Sequence, residues 1–280
     1  MEIIKTITYL APNYGGINLE DISAPRCFEI ETRLKEELNI PVFHDDQHGT
    51  AIVTAAGVIN GLKVVGKKIE DCKVVINGAG AAGIAICKFL MGYGCKEVII
   101  CNSKGIIWEG KEGLNAAATE ISKVTNRGMV KGGLKEAMVG ADIFVGVSGP
   151  NLVTKEMVQS MNERPIVFPL ANPVPEILPD LAKEAGAFIV GTGSSEYPNQ
   201  DNNALVFPGL FRGAIDADAR TVNHEMMVAA SVGIASCVPA EELTVDNILP
   251  KPWDVRVHKC VAEEVRKACI ASHATKADKK

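Results

Sequence analysis

From about residue 70 onward the chain alternates short apolar runs with stretches whose apolar positions recur at helical spacing. The runs Lys73–Asn77, Glu97–Cys101, Asp142–Val147, Pro165–Leu170 and Ala187–Gly191 predict strands. Ala81–Met91, Gly113–Val124, Leu134–Val139 and Leu178–Ala185 predict helices between them. Strands spaced by helical segments predict a parallel sheet with helices on both faces, because parallel neighbours must be joined by a crossover.

The flanks differ. Asp21–Ile40 carries Phe28, Ile30, Leu34 and Leu38 at near-helical spacing, which predicts an amphipathic helix. Thr50–Leu62 is rich in Ala, Val and Ile and predicts a second, buried helix. Beyond residue 207, Gly213–Ser236 predicts one apolar helix, and Ala271–Lys280 a frayed tail. No internal repeat or low-complexity segment interrupts the pattern.

A length of 280 residues suits one large α/β domain or two modest ones. Apolar residues at 47% and charged residues at 22% fit an ordinary globular protein. A net charge of −5 gives no electrostatic reason to expect nucleic acid or an anionic membrane as partner, and leaves a small anionic substrate open. The cysteines (Cys27, Cys72, Cys87, Cys95, Cys101, Cys237, Cys260 and Cys269) contain no CxxC pair and mostly lie in apolar runs. Buried thiols in a reducing compartment are therefore expected over disulfides or zinc. MEIIKTITYL lacks the pattern of a signal peptide, and the most apolar tract, Met226–Pro239, is short and rich in Gly and Ser. A cytoplasmic protein is the expectation.

The first chemical motif follows the first predicted strand. KVVIN runs into GAGAAGIAICKFL, so Gly78, Ala79, Gly80, Ala81, Ala82 and Gly83 form GxGxxG at a strand-to-helix junction. The first glycine permits the tight turn, the second lets a pyrophosphate approach the backbone, and the third lets helix and strand pack closely. The helix N-terminus then offers free N–H groups and a favourable dipole to phosphates. Alone the motif also describes a plain tight turn; the alternating elements that follow favour a dinucleotide. The second strand ends at Asn102, Ser103 and Lys104, where an NAD site usually places Asp or Glu. Asparagine does not repel a 2′-phosphate, and serine and lysine can donate to one. NADP, or tolerance of both cofactors, is expected; the alternative is a solvated turn beside an NAD site.

Acidic residues cluster twice, as Glu20 and Asp21 in GGINLEDI and as Asp45 and Asp46 in VFHDDQHGT. Adjacent carboxylates without neighbouring basic groups are costly unless a cation neutralises them. Oxygen donors suit a hard ion such as Mg²⁺ or Mn²⁺. His44 and His48 raise zinc as the alternative, although they read better as structural groups. Asp21 could instead cap the helix that follows it. LANPVPEI and PNQDNNALVFPG follow the fourth and fifth strands, at the end of the sheet where α/β proteins bind ligands. Asn172, Asn202 and Asn203 there could donate amide hydrogens to a carboxylate or a nicotinamide, or serve as turn residues.

Taken in order, GGINLEDI, HDDQHGTA, GAGAAGIA, LANPVPEI and YPNQDNNALVFPGLFRGA closely resemble malic enzymes of the small bacterial type, over about Ile17 to Ala262. The resemblance implies a doubly wound, Rossmann-type parallel sheet preceded by a remnant of a substrate and metal domain. The implied divisions are 1–48 for that remnant, 49–249 for the dinucleotide-binding domain and 250–280 for a C-terminal helix and tail. It implies oxidative decarboxylation of malate to pyruvate and CO₂ with NADP or NAD, and a homo-oligomer, a dimer at least. It further implies that Glu20, Asp21 and Asp46 bind the divalent cation and that Asp45 partners a catalytic lysine. Asn172 and Asn203 would contact substrate or nicotinamide. The cation would chelate the hydroxy acid and stabilise charge as CO₂ leaves.

One departure stands out. The family's tyrosine acid and lysine base come from a more N-terminal segment, and neither Tyr9, Tyr14 nor any lysine here matches them. Binding of cofactor and metal with impaired turnover by this chain alone is the expectation. Two alternatives stay open: another two-domain dehydrogenase, which would lack metal dependence, and a non-catalytic dinucleotide-binding module.

Overall fold

The structure, a computed structural model, describes residues 2–278. The chain begins with α1 (Glu2–Leu10), β1 (Ile17–Leu19), α2 (Arg26–Glu37), β2 (Val42–His44), a wide helical turn at Asp45–Gly49, and α3 (Thr50–Val65). There follow β3 (Lys73–Asn77), α4 (Ala81–Gly92), β4 (Glu97–Asn102), β5 (Gly105–Ile106), α5 (Ala116–Ser122) and α6 (Leu134–Met138). Next come β6 (Ile143–Gly146), α7 (Lys155–Gln159), β7 (Ile166–Pro169), α8 (Pro179–Glu184) and β8 (Ile189–Val190). Three helices close the chain: α9 (Phe207–Asp216), α10 (His224–Ser236) and α11 (Val255–Ala271).

The main sheet has the order β5-β4-β3-β6-β7-β8, and every pairing is parallel except β4 with β5. All five predicted strands are present. Because side chains alternate across a strand, Val74, Ile76, Ile100 and Val145 enter one core with α3, α4 and α10. Val75, Ile99, Phe144 and Val167 enter the other with α6, α7 and α8. Burial on both faces explains why these strands read as continuous apolar runs rather than alternating ones. After β3 the chain moves outward to β4 and then crosses back to β6 on the other side. That reversal makes the carboxyl end of β3 the point where such sheets form a ligand crevice.

A second sheet of two parallel strands, β1 and β2, packs with α1 and α2 around Ile4, Leu19, Ile30, Leu34 and Val42. From there α3 carries the chain into the main core, with Val53, Ala56 and Val58 fully buried or nearly so. The C-terminal helix α11 joins that core through Val257, Val261 and Val265.

Several expectations change. The helix predicted over Asp21–Ile40 starts only at Arg26; Asp21 sits at φ +58, in the left-handed region, and caps nothing. The helix predicted over Gly113–Val124 shrinks to α5, because Asn115 starts it by accepting a hydrogen bond from the Ala118 N–H at 2.8 Å. Gly213–Ser236 is two helices, not one. The chain turns at Asp218, φ +49, and Asn223 caps the restart by accepting from the Met226 N–H. The tail expected to fray is pinned to that same turn: Thr275 pairs with Ala219, and the Lys276 ammonium meets Asp218 at 2.8 Å. Residues 279 and 280 of the tail lie outside the described residues.

All eight cysteines are free and seven are buried. Among the described residues, Asp45–Val65 is a helical stretch long and apolar enough to cross a membrane, yet 78% of its apolar window is buried inside the protein. Met226–Pro239 is not such a stretch, since its helix ends at Ser236.

Candidate active site

The glycine loop closes β3 onto α4 with no room to spare. Gly78 lies at φ +124, and a Cβ there would stand 2.7 Å from the Val147 carbonyl oxygen. A Cβ on Gly83 would stand 1.7 Å from the Gly78 carbonyl oxygen, so only glycine lets the helix sit this close. Gly80 differs: its Cβ would meet nothing within 4 Å. The open side of the loop is therefore at Gly80. Gly80 begins α4 without a side-chain cap, which leaves the N–H groups of Ala81 and Ala82 in the first, intrahelically unpaired turn.

At the end of β4, Asn102 Oδ1 accepts from the Lys104 N–H at 2.9 Å. The asparagine thus shapes its own turn and keeps its amide hydrogens available. Ser103 and Lys104 are exposed beside it.

Beyond the loop opens a cavity of about 730 Å³, within the range of small-molecule sites. Its walls come from distant parts of the chain. Glu20, Asp45 and Asp46 belong to it, as do Ala82 of α4 and, from later segments, Ser148, Asn172, Asp201 and Asn203. The parallel pairing of β1 with β2 places Leu19 opposite His44, so the two acidic motifs emerge side by side. The Asp21 N–H donates to Asp46 Oδ2 at 2.9 Å, although the Asp21 side chain itself is not part of the cavity wall.

Asp45 is buried, and that burial, with Glu20 and Asp46 nearby, pushes its carboxyl up from the usual range. Asn203 opposes the shift by donating from Nδ2 to Asp45 Oδ2 at 3.1 Å. Thr50 in turn donates to Asn203 Oδ1 at 3.3 Å, which fixes the amide's orientation. Gly49 makes the arrangement possible, since a Cβ there would stand 2.2 Å from Asp45 Oδ1.

The turn that carries Asp45 and Asp46 rests on a buried carboxylate. Glu31, 6% exposed, accepts from Gln47 at 3.1 Å and pairs with His48 at 2.7 Å and Lys35 at 2.6 Å. Burial opposes its charge, but these partners outweigh burial and hold its carboxyl down to about 2. His44 bonds the Ile22 carbonyl at 3.2 Å through Nε2. His48 and the Nε2 side of His44 therefore have structural partners, while the buried His44 Nδ1 has no hydrogen-bond partner.

The donor set is all oxygen, and two buried oxygens, Asp45 Oδ1 and Asn18 Oδ1, have no hydrogen-bond partner. That chemistry fits a hard cation. The geometry is looser: among the described residues no group of three His, Cys, Asp or Glu side chains stands close enough to hold a metal ion. Glu20 and Asp21 are exposed and Asp46 is only partly covered.

Asp201 and Ser148 are polar cavity residues that the sequence motifs did not single out. Asp201 accepts from Thr54 Oγ1 at 2.9 Å, and burial pushes its carboxyl up to about 7. Ser148 lines the wall after β6 and holds Asn77 Nδ2 through its hydroxyl at 2.8 Å. Asp201 lay inside the polar segment PNQDNNALVFPG, but nothing in a sequence marks which carboxyl of such a segment turns inward.

Comparison with known proteins now adds the family. The family model for the NAD-binding domain of malic enzyme matches residues 47–270. The chain is 55% identical over 270 residues to a bifunctional malic/malolactic enzyme of Bacillus subtilis, covering 96% of this chain and 66% of that protein. It is 46% identical to an NADP-dependent malic enzyme of Escherichia coli, covering 97% of this chain and 38% of that one. The crystal structure of an NAD-dependent malic enzyme from Thermotoga maritima superposes with a TM-score of 0.90 at 48% identity, over 95% of this chain and 70% of that one. The chain thus spans about two thirds or less of the curated relatives it matches here. With the glycine loop, the switch-point sheet and these matches agreeing, the chain belongs to the malic enzyme family.

Proposed function

We propose that the chain oxidises malate and releases CO₂ to give pyruvate, using NADP or NAD together with Mg²⁺ or Mn²⁺. One observation carries this reading: the first turn of the dinucleotide-loop helix and the carboxylates of two separate acidic motifs face the same cavity. The pyrophosphate rests on the open side of Gly80 and the N–H groups of Ala81 and Ala82. Asn102, Ser103 and Lys104 receive the adenosine end, where their donors favour a 2′-phosphate.

Glu20 and Asp46 on the cavity wall, with Asp21 beside them, would hold the cation. Held there, the cation would supply charge stabilisation for the substrate hydroxyl's oxygen and for the charge left by CO₂, and the nicotinamide would supply the hydride acceptor. Asn203, oriented by Asp45 and Thr50, and Asn172 on the loop after β7 present amide hydrogens to the substrate carboxylate or the nicotinamide amide. Asp45 supplies a buried negative charge for the lysine that the resemblance implies. Among the described residues no tyrosine or lysine lines the cavity, so slow turnover is expected of this chain by itself. We place the protein in the cytoplasm as a homo-oligomer. The buried, unpaired thiols fit a reducing compartment.

The test is steady-state NADPH or NADH formation from malate by this chain, with and without Mn²⁺. Metal-dependent product, however slow, supports the proposal. Turnover indifferent to the metal points to another dehydrogenase. Cofactor binding that neither malate nor Mn²⁺ affects points to a non-catalytic dinucleotide module.

A further inference from the structure

Glu176 has no exposed surface at all. Its neighbours explain why a carboxylate is there. One oxygen accepts from the Ser148 N–H at 2.9 Å, the other from the Ala171 N–H at 3.2 Å. Ser148 belongs to the segment after β6, and Ala171 to the segment after β7. The same two segments are joined by backbone bonds from Asn151 to Pro175 and from Val153 to Glu176. Gly146 leaves the space, because a Cβ there would stand 2.4 Å from the Glu176 carboxyl carbon.

The connection continues into the glycine loop. The Ser148 hydroxyl accepts from Asn77, the residue before Gly78, and the Val147 N–H donates to the Asn77 carbonyl at 2.9 Å. A single line of hydrogen bonds thus runs from the dinucleotide loop through Ser148 and Glu176 to Ala171, next to Asn172. Ser148, Ala171 and Asn172 all line the cavity. We propose that Glu176 is a positioning residue that sets the Asn172 wall against the glycine loop and so governs how tightly the nicotinamide half of the cofactor is held. This rests on the functional reading given above.

Only a carboxylate can serve both loops. An amide in its place offers one acceptor oxygen and turns an NH₂ group toward a second N–H donor, which leaves that donor unpaired in a buried setting. Burial raises the Glu176 carboxyl above its usual range, while the loop N–H groups work to keep it ionised. Both carboxyl oxygens are in any case taken up by the two loops, one by Ser148 and the other by Ala171.

The test compares wild type with Glu176→Gln. The affinity of each is titrated with the tighter-binding of NADPH and NADH, and with ADP-ribose or its 2′-phosphate as the matching fragment without nicotinamide. The variant should bind the full dinucleotide about tenfold more weakly or worse, with the fragment changed by less than about twofold. Unchanged dinucleotide affinity overturns the proposal, as does an equal loss for dinucleotide and fragment. If wild type binds neither, the dinucleotide site itself is wrong and the role of Glu176 falls with it. Should the variant fail to fold, hydrogen exchange on wild type decides. The Ser148 and Ala171 amides should be protected and open together, and independent exchange overturns the proposal.

Discussion

Asn203 Nδ2 donates to Asp45 Oδ2 at 3.1 Å, across 158 positions of sequence. The contact joins the acidic turn to the segment after β8 and moderates a carboxyl that burial pushes upward. Asn203→Leu keeps the volume but withdraws the donor. It should destabilise the fold by about 1–3 kcal/mol, since a buried carboxylate loses a partner while Glu20 and Asp46 remain near. Urea denaturation at neutral pH measures this.

Glycine at positions 80 and 83 answers to different demands. Gly80→Ala meets open space at an ordinary φ of −88, so stability should stay within about 0.5 kcal/mol of wild type. Dinucleotide affinity should nevertheless fall by about tenfold or more, because the added methyl stands at the proposed pyrophosphate site. Gly83→Ala forces a backbone shift and should lower the melting temperature itself. Thermal melts beside NADPH and NADH titrations separate the two effects.

Cofactor choice should pass through Asn102. Asn102→Asp keeps the acceptor for the Lys104 N–H and replaces the amide donor with a negative oxygen. That oxygen can accept from ribose hydroxyls and repels a 2′-phosphate, so the ratio of NADPH to NADH affinity should fall by about tenfold. An unchanged ratio in titrations of both cofactors would remove this turn from the selectivity argument.

Asp201 gives a pH signature. Its folded carboxyl, at about 7 against 3.8 for the ordinary group, holds a proton that the unfolded chain has released. A raised carboxyl means that stability falls as pH rises between those two values and levels off above the higher one. Asp201→Asn should flatten that slope and, at pH 8, be more stable than wild type by on the order of 2 kcal/mol, allowing for partial solvent access. Chemical denaturation at pH 5 and pH 8 tests it.

Glu31 has the opposite sign. Its carboxyl is held at about 2 in the fold against 4.5 ordinarily, so its stabilisation is complete above 4.5 and is lost as pH falls toward 2. Glu31→Gln leaves His48 and Lys35 without their anion and should cost roughly 3 kcal/mol at pH 7. Equilibrium unfolding in urea at pH 7 and pH 3 should show the difference between variant and wild type shrinking at the lower pH.

The legible parts of this protein were those whose signal is local. Lys73–Asn77 and Glu97–Asn102 announce themselves because a strand buried on both faces must be apolar throughout. The glycine loop is legible because sterics at Gly78 and Gly83 admit no other residue. The paired acids also stood out, and the structure sets them just past the ends of neighbouring strands. What stayed hidden depends on distant pairing. The break at Asp218 is stabilised by Thr275 and Lys276, 50 or more positions away in the chain, so helical periodicity ran straight through it. Asp201 and Glu176 look like ordinary loop acids until Thr54, Ser148 and Ala171 are known to surround them. The two-residue strand β5 is too short to leave a pattern.

The helix α3 begins at the residue after the acidic turn and is buried almost throughout, from Ala51 to Leu62. It cannot slide or pivot without emptying the core that surrounds it. Asp45 and Asp46 are consequently a stationary anvil. Whatever tightening accompanies occupancy of the cavity has to be made by the opposite wall or by whatever meets the exposed Glu20 side.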